Sequence, residues 1–230
     1  LGSSSTFTVG LLNTLYALQN YMPTKRELAL KAIHVEQELI HESVGSQDQT
    51  AAAFGGLNKI SFHSDHNIEV DNIIISQKKM LNLQDNLMLF FTGFARNASE
   101  FAKKQIAVTS QKTIELHRMK EICQEALNLL NSDKDLLDDF GKLLNEQWKV
   151  KRSMTSDISN KNIDLIYSAG IKAGALGGKL LGAGGGGFML FYVPKKKQLA
   201  VKKALKSKLF VPFRFDSNGS KIIYYSHTED

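Results

Sequence analysis

The sequence predicts an α+β protein in two parts, and three observations lead there. Apolar residues recur at helical spacing over several long stretches, short β-rich apolar runs stand between them in mixed order, and the texture turns polar near residues 76–86. Strands interleaved this way with blocks of helix argue against an all-parallel sheet. The polar stretch sets the expected division at 1–80 and 81–230.

Residues 5–19 read as a helix, because Phe7, Leu11, Leu15 and Leu18 fall on one face. Asn20 to Pro23 break it. Thr24 and Glu27 have the spacing of a capping box, so a second helix is expected from there to about His41. Ser46 to Gly56 is polar and small. Residues 59–62 and 68–75 read as strands, with Ile73, Ile74 and Ile75 expected to be buried. The second part opens on the buried strand Leu87 to Phe91. Helical stretches follow at roughly 97–131 (broken), 134–152 and 160–173, with turn chemistry at Asn131-Ser132 and at Asp157 to Asn160. A glycine cluster then runs into the strand Phe188 to Val193. A lysine-rich helix and strands near 211–215 and 221–225 close the chain.

With 230 residues the chain can bury a sizeable core, and 43% hydrophobic with 23% charged residues is ordinary for a globular protein. No apolar run reaches the ~20 residues of a membrane span. Cys123 stands alone, which rules out an internal disulfide framework and fits a cytoplasmic setting. Within its helix it reads as a buried structural thiol. The net charge of +6 favours anionic partners. The densest basic run, Lys195 to Lys208, has helical spacing and no interleaved aromatics, so it reads as a solvated helix face and not as a nucleic-acid surface. His63, Asp65 and His66 read as a hairpin tip, and Trp148 as helix packing.

Three constellations could carry chemistry. Gly2-Ser3-Ser4-Ser5-Thr6 opens directly into a helix, whose free amides and dipole suit a phosphate, with hydroxyls able to ligate Mg²⁺; a serine-rich cap would look the same. Val44 to Gln49 carries Asp48 just after a helix bearing Glu36, Glu38 and Glu42. A loop carboxylate there can accept a hydroxyl proton, and an upstream one can hold a metal; an ordinary turn is the alternative. Gly182 to Gly187 holds five glycines in six residues, which suits close backbone approach or a sharp turn.

Together, in this order, the three resemble the GHMP kinases, the family of galactokinase, homoserine kinase, mevalonate kinase and phosphomevalonate kinase. Gly2 to Ser5 resembles the family's second motif and Gly182 to Gly187 its third. Residues 3–13, 44–56, 92–100 and 177–187 are similar to its sugar-kinase branch. The resemblance implies a two-domain GHMP kinase fold, with an N-terminal domain truncated at its start and a C-terminal ferredoxin-like α/β sandwich. The family's first motif is absent, and a preceding segment is expected. The implied activity is phosphoryl transfer from ATP, with Mg²⁺, to a sugar or sugar phosphate. By similarity, Gly2, Ser3, Ser4, Ser5, Gly184 and Gly185 would hold the ATP phosphates. Ser4 and Glu36 would bind the metal, with Glu38 as the alternative to Glu36, and Asp48 would be the catalytic base. Gln47, Gln49, Arg96 and Lys179 would contact the substrate. A non-catalytic sensor of sugar and ATP is the alternative of another kind. No nucleic-acid or membrane partner is implied.

Overall fold

The computed structural model describes residues 2–93 and 98–226, and the chain divides into two compact units. The first comprises Gly2–Ile73 together with the described part of the tail, 215–226; the second is Ile74–Arg214. The division therefore falls between Ile73 and Ile74 instead of near residue 80, and the tail returns to the first unit.

In the first unit, α1 (Ser3–Leu18), α2 (Lys25–His34) and α3 (Gln47–Phe54) pack on a small core of Val9, Leu28, Ala29, Ala32 and Ala53. The face of α1 that builds this core carries Val9, with Leu12 and Tyr16 packed against it. The expected stripe lies outside: Phe7, Leu11, Leu15 and Leu18 are all exposed. The helical period is as read, but it belongs to a second apolar face. The capping box is present, with Thr24 accepting from the Glu27 amide and the Glu27 carboxylate accepting from the Thr24 amide at 2.7 Å. The helix it starts does not run straight to His41. At Val35–Leu39 it widens into a π turn, closed by the Ile40 amide on the Val35 carbonyl. Such single-turn widenings recur at functional positions. The strands β1 (Asn58–Phe62) and β2 (Ile68–Asn72) form an antiparallel hairpin, with His63, Asp65 and His66 at its exposed tip. The strand reading of 73–75 is corrected: β2 ends at Asn72 and Ile74 is 89% exposed.

In the second unit, α4 (Gln77–Asp85) occupies the stretch expected to be a polar boundary. It is capped by Ser76, whose hydroxyl accepts from the Lys79 amide. The strands β3 (Leu87–Phe91), β4 (Gly177–Leu180), β5 (Phe188–Tyr192) and β6 (Leu209–Val211) make an antiparallel sheet of order β4-β5-β3-β6, with Leu89 opposite Leu190 and Phe90 opposite Phe210. The helices are α5 (Ala98–Val108), α6 (Thr113–Asn131), α7 (Leu137–Met154), α8 (Lys161–Lys172) and the short α9 (Gln198–Ala204). Met88, Phe90, Trp148, Ile163, Leu180, Met189 and Phe191 centre the core. Gly141 and Gly170 let α7 and α8 lie directly on Tyr192 and Phe191: an added Cβ would come within 2.5 Å of either ring. Cys123 is exposed, against the expectation of burial, because α6 turns it to the outside. The final strand lies at 209–211, and residues 221–225 form no strand. No helix among the described residues is long and apolar enough to cross a membrane.

Candidate phosphoryl-transfer site

The chain enters α1 through Gly2, which is left-handed at φ 62°, ψ 32°. Two facts keep a side chain out of this position. A non-glycine residue is strained in that region, and a Cβ there would lie 2.8 Å from Asp48 Oδ2. A side chain at residue 2 would thus run into the carboxylate of the second constellation. The helix start has no side-chain cap and no acidic residue in its own first turn, so its amides face outward, with the Asp48 carboxylate beside the turn. Ser3 and Ser4 are exposed on this turn.

Ser5 turns the other way. It is buried, and its hydroxyl donates to Glu36 Oε2 at 2.7 Å. Thr8, one turn on, donates to Glu36 Oε1 at 3.0 Å, and also contacts the Ser4 carbonyl at 3.1 Å. Gln49 completes the set, its Nε2 donating to the same Oε2 that Ser5 uses. Glu36 is 2% exposed and Gln49 fully buried. The π turn therefore delivers a carboxylate beneath the first turn of α1, ringed by three neutral donors. No cation of the described residues pairs with it. Gln49 Oε1 is buried with no hydrogen-bond partner.

Asp48 and Gln47 lie in the first turn of α3, exposed, while the next residue, Gln49, points inward. A helix advances about 100° per residue, so neighbours on one turn face apart. Two expectations are corrected on this ground. Gln49 does not face a substrate surface, since its amide is spent on Glu36. The Ser5 hydroxyl is likewise committed inward, which leaves only its amide for a phosphate. Glu38 is exposed and Glu36 buried, so of the two carboxylates Glu36 is the one the fold directs toward α1. Ser4 reaches Glu36 only through Thr8.

In the second unit, the glycine turn lies between β4 and β5. Open space stands over Gly182 and Gly187, whereas a Cβ on Gly184 would meet the Ile158 backbone at 3.0 Å and one on Gly185 would meet the Phe101 ring at 2.4 Å. These two glycines are required by the protein behind them. The Gly185 amide donates to the Ile158 carbonyl at 3.1 Å, so it is not available to ATP as expected. Lys179 is on the face of β4 that it shares with Gly177, and that face packs on α7. Burial lowers its pKa, with the Cys123 thiol of α6 acting weakly in the opposite sense. No carboxylate among the described residues pairs with it. It has a packing environment instead of the ligand surface expected of it. Arg96 lies outside the described residues.

The role of Thr8 escaped sequence reasoning, although its spacing of three from Ser5 was a usable signal.

Comparison with known proteins matches residues 1–56 to the GHMP kinases N terminal domain and residues 126–210 to GHMP kinases C terminal, more than half of the chain between them. The chain is 33% identical over 229 residues to a Campylobacter jejuni D-glycero-alpha-D-manno-heptose 7-phosphate kinase, covering 96% of this chain and 66% of that protein. It is 24% identical over 222 residues to the bifunctional fucokinase/GDP-fucose pyrophosphorylase of Arabidopsis thaliana, of which it covers 20%. Among solved structures it resembles a D-glycero-D-manno-heptose 1-phosphate kinase from Bacteroides thetaiotaomicron, with a TM-score of 0.69 and 26% identity over 98% of this chain and 64% of that one. The chain thus spans just under two thirds of these two heptose kinases.

Proposed function

Since this chain belongs to the GHMP kinase family, we propose that the protein carrying it transfers the γ-phosphoryl group of ATP to the anomeric hydroxyl of D-glycero-D-manno-heptose 7-phosphate, giving the 1,7-bisphosphate. The observation that carries the reading is the place of the Asp48 carboxylate beside Gly2, at a helix start with no cap. An exposed carboxylate abuts the turn whose amides suit a phosphate, which is the juxtaposition that transfer to a hydroxyl needs.

The free amides at the start of α1, with the Ser3 and Ser4 hydroxyls, hold the triphosphate. Asp48 accepts the proton of the sugar hydroxyl as its oxygen bonds to the γ-phosphorus, and the bond from that phosphorus to the ADP oxygen breaks. Positioning and charge stabilisation carry most of such a reaction. Gln47, exposed beside Asp48, contacts sugar hydroxyls. Glu36 fits a divalent cation, because it is a buried carboxylate met by neutral donors alone, and Mg²⁺ takes oxygen ligands of this type. Ser4 and Glu36 would hold it, and bound there Mg²⁺ would neutralise charge on the phosphates.

ADP release by the intact protein tests this. Turnover is expected with heptose 7-phosphate and not with heptose or fucose, and phosphorus NMR should find the new ester at C1. Equal turnover of free fucose would move the substrate to a neutral sugar. Binding of ATP and heptose 7-phosphate without turnover would make the protein a sensor.

A further inference from the structure

Two neighbouring side chains leave the π turn at Val35–Leu39 in different directions. Glu36 goes beneath the first turn of α1. Gln37, half-buried, turns instead to the segment that leads into α3. Its Nε2 donates to the Val44 carbonyl at 3.0 Å and to the Ser46 hydroxyl at 3.3 Å. A side-chain amide nitrogen has two hydrogens, one for each acceptor.

Residues 41–46 belong to no helix or strand, and Gly45 has open space over it. The start of this segment is held by the Glu42 amide on the Glu36 carbonyl at 2.8 Å, and Gln37 holds its end. Ser46 occupies the N-cap position of α3, yet its side chain accepts nothing from that helix. A serine there ordinarily accepts from an amide of the first turn. Here the hydroxyl oxygen serves Gln37, on another element. A local cap is given up for a distant tether, and departures of this kind from local preference collect where position matters more than helix stability.

Asp48 follows Ser46 by two residues, in the first turn of α3. Gln49 fastens the inner side of that turn to Glu36. One fastening leaves a turn free to swivel about it, and a second removes that freedom. We infer that Gln37 is a positioning residue for Asp48: by holding Val44 and Ser46 it sets where α3 begins, and so where the carboxylate stands. The inference rests on the phosphotransferase reading, with Asp48 as the base. Its motive is geometric, since displacing a reacting group by about 1 Å costs on the order of a hundredfold in rate.

The test uses the intact protein with ATP and heptose 7-phosphate. Gln37→Met keeps the length of the side chain and removes both donated bonds. It should lower kcat by about tenfold or more and change either KM little. Ser46→Ala, which removes one of the two acceptors, should lower kcat less. Hydrogen exchange should quicken at the Thr50 amide, which bonds to the Ser46 carbonyl, and not along α1. Combined with Asp48→Asn, Gln37→Met should lower kcat no further, because the group it positions is gone. An undiminished kcat in Gln37→Met, or a loss by the same factor with Asp48 and with Asn at residue 48, would overturn the inference alone. No turnover by the unaltered protein, or an undiminished kcat in Asp48→Asn, would remove the base and the inference with it.

Discussion

Three neutral donors converge on Glu36, and each can be removed without changing the backbone. Ser5→Ala or Gln49→Leu leaves a buried carboxylate short of a hydrogen bond, which costs on the order of 1–3 kcal/mol. Urea denaturation should show this for each, with non-additive loss in the pair because both serve the same oxygen. Asp48→Asn is of another kind. Its side chain is exposed, so stability should change by about 0.5 kcal/mol or less, while kcat should fall by on the order of 10²–10⁴. Lys179→Met should raise stability at neutral pH, since the partly buried amine has no carboxylate partner among the described residues. The pH dependence has a definite sign. Burial lowers the folded amine's pKa, so as pH rises toward the ordinary lysine value of about 10.4 the folded protein releases its proton before the unfolded chain does. The wild type should therefore gain stability through that window and Lys179→Met should not, which thermal melts across the alkaline range will read. That Asp48 would stand near the glycine-serine helix start was legible in the sequence, because its neighbours form a motif. Ser5 was not, because three consecutive serines look alike until the position of α2 decides which one faces a carboxylate.

At the scale of elements, periodicity located α1 but not its buried side. Phe7, Leu11, Leu15 and Leu18 outnumber the apolar residues that build the core, and an apolar stripe carries no mark of what lies against it. The α3 helix was missed for a related reason: Gln47 to Phe54 is eight residues of small and polar side chains, held through Gln49 and Ala53 more than through its own pattern. Residues 221–225 have β-rich composition yet form no strand, since the tail bonds to helices of the first unit. The glycine turn was visible as a feature, but its internal division of labour was not. Gly185→Ala should cost on the order of 2–3 kcal/mol, from the clash with Phe101 and a φ of 75°. Adding Phe101→Ala should return only the steric part, which a double-mutant cycle by chemical denaturation can resolve.

For the molecule as a whole, the segment Ile74–Arg214 interrupts the first unit, which resumes at Phe215. The returning tail is bound by the Ser220 amide to the Ala52 carbonyl at 2.9 Å, by the Gly56 amide to the Asp216 carbonyl at 2.8 Å, and by Lys25 Nζ to the Asn218 carbonyl at 2.9 Å. Asn13 adds a bond to the Ser220 hydroxyl at 3.0 Å. Ending the chain at Arg214 should therefore loosen α1, α2 and α3 while the four-stranded sheet keeps its protection, as hydrogen exchange would report. The same arrangement orders events on the ribosome. Residues 74–214 have one another as partners once residue 214 has emerged, whereas α1, α2 and α3 must wait for residues 215–226 before the bonds to the tail can form. A pause in translation between residues 214 and 226 would leave α1, α2 and α3 without those bonds while residues 74–214 fold.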